Sequence, residues 1–332
     1  MFLNKQLFIL ITLLALFGCT ESKNNTQDEK LTGMNINWSF LPPLTQDIVD
    51  ATASLNPKMI RYPGGSVSKT WNWEDGTTSK SINRPPHTLD DLLIIKEATN
   101  AKVTFVLNTI NKTLENQLEL LRTARAMGIP IEYIEMGNEH YLGKGNNADD
   151  AGNHQDNVDA FPTGKEYAEF VNNWSPAIRD EFPDAKIGIS MLARTNKNTR
   201  LQTWNDLIVS TIEAKNFDAY IYHIYVRSNS SLELNDENIS EIIKERTDIF
   251  ESVKIDDNSK KVWITEYGVH ADTLDKTVTL TSALADYIEA EADIALPQVL
   301  YTKSSSTFFS ILTAPDADAL TALGEMFAER WK

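Results

Sequence analysis

From residue 31 onward the chain alternates between two patterns, and this alternation limits the fold more than any other feature. Short runs rich in Val, Ile and aromatic residues fall at 33–38, 58–62, 103–108, 131–136, 186–191, 219–225, 261–267 and 297–302. Each precedes a longer run with apolar residues at helical spacing, near 44–55, 88–99, 114–127, 164–181, 200–215, 236–252, 276–291 and 316–331. In the third of these, Leu114, Leu118, Leu121 and Ala124 share one face, and Gly128-Ile129-Pro130 stops the run. Eight strand–helix units in about 300 residues predict a single-domain α/β fold, a (β/α)8 TIM barrel over residues 31–332. A doubly wound open sheet is the competitor. It would usually bring a glycine-rich phosphate loop after an early strand, and the chain has no GxGxxG or Walker sequence.

In a barrel of parallel strands every carboxyl end points to one face, and active sites are built there. Arg61 ends the second predicted strand, Asn108 the third, Asn138 and Glu139 the fourth, and His223 and Tyr225 the sixth. Glu266 and Tyr267 end the seventh, Tyr301 and Lys303 the eighth, and Trp38 lies just past the first. Only the fourth and seventh strands end in a carboxylate. They lie nearly opposite in an eight-strand barrel, so Glu139 and Glu266 are expected to face each other across the mouth. Burying a carboxylate costs free energy unless it has a partner or a task. Facing carboxylates are the apparatus of glycoside hydrolysis: one protonates the departing oxygen, and the other attacks the anomeric carbon or activates water.

The first residues read as a targeting segment. Lys5 precedes an apolar run, Leu7 to Phe17, which is too short to span a bilayer as a mature helix. Leu16-Phe17-Gly18-Cys19 resembles a bacterial lipobox, which implies lipidation of Cys19, the single cysteine, with residues 1–19 as signal peptide. Residues 20–30 are polar, without periodicity, and read as a flexible tether. The expected location is the bacterial cell envelope, lipid-anchored, or the exterior. The formal net charge of −16 argues against nucleic acid as partner. It also makes a strongly anionic polymer a less natural substrate, unless a local basic patch overrides the average.

The motifs resemble a known group. Met136-Gly137-Asn138-Glu139 on the fourth strand, with Ile264-Thr265-Glu266-Tyr267-Gly268 on the seventh, looks like the retaining glycoside hydrolases of clan A. The resemblance implies that Glu139 is the acid/base and Glu266 the nucleophile. It also implies that Asn138 binds the 2-hydroxyl of the sugar and that Tyr225, in His223-Ile224-Tyr225, supports the nucleophile. Ile60-Arg61-Tyr62-Pro63-Gly64-Gly65, followed by Trp71-Asn72-Trp73-Glu74-Asp75-Gly76, resembles family 51 α-L-arabinofuranosidases. Arg-x-Pro-Gly-Gly is also similar to family 79 β-glucuronidases and heparanase. The implied substrate is a plant, algal or host glycan. The alternative is a non-catalytic, glycan-binding lipoprotein on a degenerate barrel.

Other residues carry two readings. Arg61 suits an anionic nucleophile or sugar hydroxyls. Trp38, Trp71 and Trp73 suit either packing or a sugar-stacking platform. His223 reads as a core histidine or a sugar contact, and His140 and His270 as cleft-lining or plain loop residues. Glu132 reads as a solvated strand start and Glu135 as the partner of a base on the barrel. The acidic loop with Asp149, Asp150, His154 and Asp156 lacks EF-hand spacing, and no HExxH or paired Cys/His set is present. The expected chemistry therefore needs neither metal nor cofactor.

Overall fold

The computed structural model describes residues 29–79, 84–143, 154–195, 199–228, 233–302 and 310–332. Residues 1–28, Cys19 among them, lie outside the described residues, as do Asp149, Asp150 and Lys303. The barrel strands are β1 (Leu31–Asn35), β2 (Met59–Tyr62), β5 (Lys102–Val106), β6 (Tyr133–Glu135), β7 (Lys186–Ser190), β8 (Ala219–Arg227), β9 (Lys261–His270) and β10 (Ile294–Pro297). They close in the order β1-β10-β9-β8-β7-β6-β5-β2, every neighbouring pair parallel. This is the expected (β/α)8 barrel. A small antiparallel hairpin, β3 (Trp71–Asn72) with β4 (Thr77–Thr78), decorates the loop after β2.

The outer helices are α1 (Gln46–Ser54), α2 (Leu89–Thr99), α3 (Leu114–Ala126), α5 (Gly164–Glu181), α8 (Asp236–Val253), α9 (Leu274–Glu291) and α10 (Ala322–Arg330). Their starts share one device. Thr45, Thr88, Thr113, Thr163, Asn235, Thr273 and Thr321 each accept a backbone N–H of the first turn through the side chain. Such caps contribute about 1 kcal/mol each. The base of the barrel is filled by Leu31, Met59, Ile221, Trp263, Ile294 and Leu296. A Cβ at Gly188 would lie 2.6 Å from the Trp263 ring, so β7 gives up a side chain to seat that indole.

Four expectations shift. The eighth strand is Ile294–Pro297 rather than 297–302. Ile294 and Leu296 point into the base cluster, and Pro297 closes the strand instead of opening it. The helix expected over 200–215 is broken into α6 (Thr199–Gln202), α7 (Trp204–Thr211) and a single turn at Ala214–Asn216. Asn172 ends α7 by donating to the Thr211 carbonyl and accepting the Glu213 N–H. The last helix starts at Ala322, behind its Thr321 cap, rather than near 316. In the loop after β6, α4 (Gln155–Ala160) forms within a stretch expected to be irregular.

Candidate active site

Arg61 is the centre of the mouth. It is fully buried at the end of β2 and donates to four residues, Asn35 Oδ1 at 3.4 Å being the longest contact. Its Nε and Nη2 grip Glu135 at 3.0 and 2.6 Å, its Nη1 donates to Glu266 Oε1 at 2.6 Å, and its Nη2 also donates to Asn138 Oδ1 at 2.8 Å. A planar guanidinium offers this fork where an ammonium cannot. Burial works against its charge, but Glu135 and Glu266 outweigh burial and raise its pKa, so it stays a cation. Glu135 thus has the basic partner expected of it.

Glu139 enters the mouth through a tight reversal after β6. Gly137 has φ +83°, and a Cβ there would lie 1.9 Å from His140 Nε2. Glu139 itself has φ +48°, a left-handed conformation unfavourable for a residue with a Cβ. The turn is held by Asn157, whose Nδ2 donates to the carbonyls of Glu139 and Leu142 at 3.0 and 2.9 Å. The nearly buried Lys69 in turn donates to Asn157 Oδ1 at 3.1 Å.

Glu266 arrives by a different route. The β8–β9 register slips between Tyr222 and His223, which pair with Ile264 and Glu266 and leave Thr265 as the extra residue. A bulge re-aims side chains. Here it lets two consecutive residues face inward: Thr265 Oγ1 lies 3.3 Å from Glu135 Oε2, and Glu266 reaches Arg61. Tyr225 Oη donates to Glu266 Oε2 at 2.6 Å. A Cβ on Gly65 would stand 2.3 Å from Glu266 Oε1, so the glycine leaves the carboxylate its place.

His223 bridges the two carboxylates. Its Nδ1 lies 3.0 Å from Glu139 Oε1 and 3.6 Å from Glu266 Oε2, and its Nε2 lies 3.3 Å from Thr265 Oγ1. Burial opposes its charge, but Glu266 and Glu139 raise its pKa above the ordinary value. Burial likewise opposes the Glu139 carboxylate, and the hydrogen bond and charge of His223, the Tyr141 hydroxyl at 3.0 Å and Arg61 outweigh it, holding Glu139 well below the usual range. Burial and the adjacent carboxylates raise Tyr141 and Tyr225, which remain neutral donors.

A carboxylate oxygen of Glu139, one of Glu266 and a His223 ring nitrogen all lie within 4.8 Å of one another. A metal ion would accept that spacing. The donor set fits one poorly, because both oxygens of Glu266 already accept hydrogen bonds and one faces the Arg61 cation. Asn138 Nδ2, by contrast, is buried beside the carboxylates with no hydrogen-bond partner among the described residues. A cleft of about 700 Å³ opens over Glu139, His223 and Tyr225 and is walled by the ends of β8 and β9, the loop after β7, and α8.

Several expected contact residues stand behind this site. Trp38 is fully buried, edge-on to Tyr62 and His87. Trp71 is buried and donates to Tyr62 Oη, so neither is a stacking platform. Trp73 is half-buried and donates to Asn116 of α3. Asn108 carries the Trp71 carbonyl and the Asn111 N–H, beside a separate hollow of about 510 Å³ under the hairpin. His140 packs on Phe161 and Tyr167, and burial and the charge of Lys69 push it down to about 3. Tyr267 lies outward of the bulge against Phe327, and Tyr301 Oη donates to the Pro315 carbonyl. Proximity to a strand end was not sufficient: alternation sends each second residue toward the helices. His270 does line the cleft. Thr265, Tyr141, Asn157 and Lys69 were not singled out for the site, since no local pattern marks a bulge or a loop-to-loop brace.

No protein-family model matches the chain, and no curated protein matches it in sequence. Solved structures do match in fold. An α-L-arabinofuranosidase from Thermotoga maritima, in complex with arabinose, aligns with TM-score 0.62 at 16% identity, covering 91% of this chain and 70% of that one. A family 51 α-L-arabinofuranosidase from Bifidobacterium longum aligns with TM-score 0.64 at 15% identity, covering 91% and 72%. A family 128 endo-β-1,3-glucanase from Pseudomonas viridiflava aligns with TM-score 0.54 at 16% identity, covering 90% and 97%. The likeness is one of fold, and the neighbours are TIM-barrel glycosidases.

Proposed function

We propose that the chain is a retaining glycoside hydrolase acting on a plant, algal or host glycan. The observation that carries this is the Glu139–Glu266 pair, with one oxygen of each within 4.8 Å of the other across the barrel mouth. Retaining enzymes hold their carboxyl groups about 5–5.5 Å apart, whereas inverting enzymes leave a wider gap for water. In this reading Glu266 attacks the anomeric carbon, oriented by Arg61 and Tyr225 on its two oxygens. Glu139 gives a proton to the departing oxygen and then takes one from the water that opens the glycosyl ester. The proton resides on the Glu139–His223 pair between Oε1 and Nδ1. The unpartnered Asn138 Nδ2 donates to a hydroxyl of the sugar being cleaved. The fold neighbours support the reaction class, with family 51-like or another clan A specificity. The lipobox-like segment supports anchoring through Cys19.

The test is a screen of aryl glycosides and polysaccharides with Glu266→Ala and Glu139→Gln, with and without EDTA, and the anomer of the first product read by NMR. Each variant is expected to lose at least about 100-fold in rate. Retained activity in both overturns the assignment, and inverted product overturns retention. Glycan binding without turnover on any bound, cleavable glycan points to the non-catalytic reading.

A further inference from the structure

The cleft over Glu139 carries a charge that the proposed chemistry does not use. Arg194, Arg227 and Arg246 line the same wall, from the loop after β7, the end of β8 and α8. The chain has 47 acidic residues against 31 Lys and Arg, so carboxylate partners abound. Elsewhere four arginines take them, Arg61 with Glu135, Arg122 with Glu181, Arg179 with Asp218, and Arg330 with Asp286, while Arg84 and Arg125 donate to backbone carbonyls. In the cleft, none of the three arginines is ion-paired with a described carboxylate. Glu241 and Glu245 line the same cleft but are exposed on α8 and do not close on them.

Arg246 is the best placed. Its Nε donates to the Tyr225 carbonyl at 3.1 Å, and among the described residues neither terminal nitrogen has a hydrogen-bond or ion-pair partner. It is half-buried, and burial together with the charge of Arg194 works against its cation. Arg194 is near enough to Tyr141 for its charge to be felt at that phenol, one hydrogen bond from Glu139. Like charges drawn together at a cleft wall are costly unless an anion settles between them. A guanidinium fork matches carboxylate and sulfate oxygens in bidentate fashion.

We infer that the cleft takes a glycan bearing an anionic substituent, a sugar carboxylate or a sulfate ester, held by Arg194 and Arg246 with Arg227 at the edge. This rests on the glycosidase reading and narrows its substrate class. It also qualifies the expectation from net charge, because three arginines stand in this cleft, beside Glu139, Glu241 and Glu245, although the whole chain is acidic.

The test uses the full chain and two glycan pairs: a polyuronate against its carboxyl-reduced form, and a sulfated galactan against its desulfated form. Binding is measured by calorimetry for wild type, Glu266→Gln, Arg194→Ala, Arg246→Ala and the double arginine variant. Their thermal transitions are checked alongside. Wild type should bind one anionic member at least tenfold more tightly than its neutral form. The preferred pair tells carboxylate from sulfate. The double variant should lose most of that preference. Equal binding of both members of each pair, no binding of any anionic glycan, or an unchanged preference in the double variant each overturns the inference. Glu266→Gln separates the two claims. Anion-selective binding with no turnover in wild type refutes hydrolysis alone, and turnover of neutral glycans insensitive to the arginines refutes this inference alone.

Discussion

The Tyr225 hydroxyl donates to Glu266 Oε2 at 2.6 Å, while Arg61 donates to Oε1 at the same distance. The carboxylate is therefore fixed through both oxygens before any sugar arrives. Tyr225→Phe removes one hydrogen bond to a charged group, an interaction of about 1.5–3 kcal/mol. The expected result is a kcat lower by about 10- to 100-fold, with the melting temperature lower by only a few degrees. Steady-state kinetics on the best aryl glycoside, beside a thermal scan, checks it. An undiminished kcat would show that Glu266 does not depend on Tyr225.

Gly65 tests the same carboxylate by steric means. Its missing Cβ would stand 2.3 Å from Glu266 Oε1. A free glutamate would swing aside, but this one is pinned by Arg61 and Tyr225. Gly65→Ala should therefore displace the carboxylate from its productive geometry, at a cost of about 100-fold in kcat, since misplacement by an ångström has that scale. Stability should fall far less than activity. A variant that melts early yet keeps its specific activity would contradict this.

Arg61 is expected to behave in the reverse way, as a residue of the fold and of the site together. Arg61→Met leaves Glu135 and part of Glu266 buried without their cation. Breaking a buried ion pair from one side costs about 3–5 kcal/mol. Urea denaturation should show a loss of that size, and the melting temperature should drop on the order of 10 °C. Arg61→Lys keeps the charge but loses the fork, so it should recover part of the stability and little of the activity.

What the sequence made legible follows from how local each signal is. The barrel was readable because strand and helix periods differ and repeat eight times. Glu139 and Glu266 were readable because a carboxylate at a buried strand end is costly. The side of the strand each residue faces was not readable where register breaks. The bulge that turns both Thr265 and Glu266 inward, and so sends Tyr267 outward, depends on how β8 pairs with β9. The left-handed turn at Gly137–Glu139 likewise decides that His140 points into an aromatic cluster rather than the cleft. Arg194 and Arg246 are far apart in sequence and on different elements, so only the closed barrel brings them to one wall.

The Glu139–His223 pair gives a pH signature with a definite sign. His223 has its pKa raised in the folded protein, so its contribution to stability is complete below the ordinary value of 6.5 and is lost as pH rises through the raised value. Glu139 has its pKa lowered, so its contribution is complete above the ordinary 4.5 and is lost as pH falls toward about 2. The stability difference between wild type and His223→Gln should therefore be widest between pH 4.5 and 6.5 and narrow on both sides. Catalysis should report the same pair. In wild type the proton used by Glu139 is held until His223 titrates, so kcat/KM should fall in alkali with a midpoint above 6.5. In His223→Gln the carboxyl must hold that proton alone, and the alkaline limb should move to lower pH. A limb that stays in place in the variant would mean that another group supplies the proton.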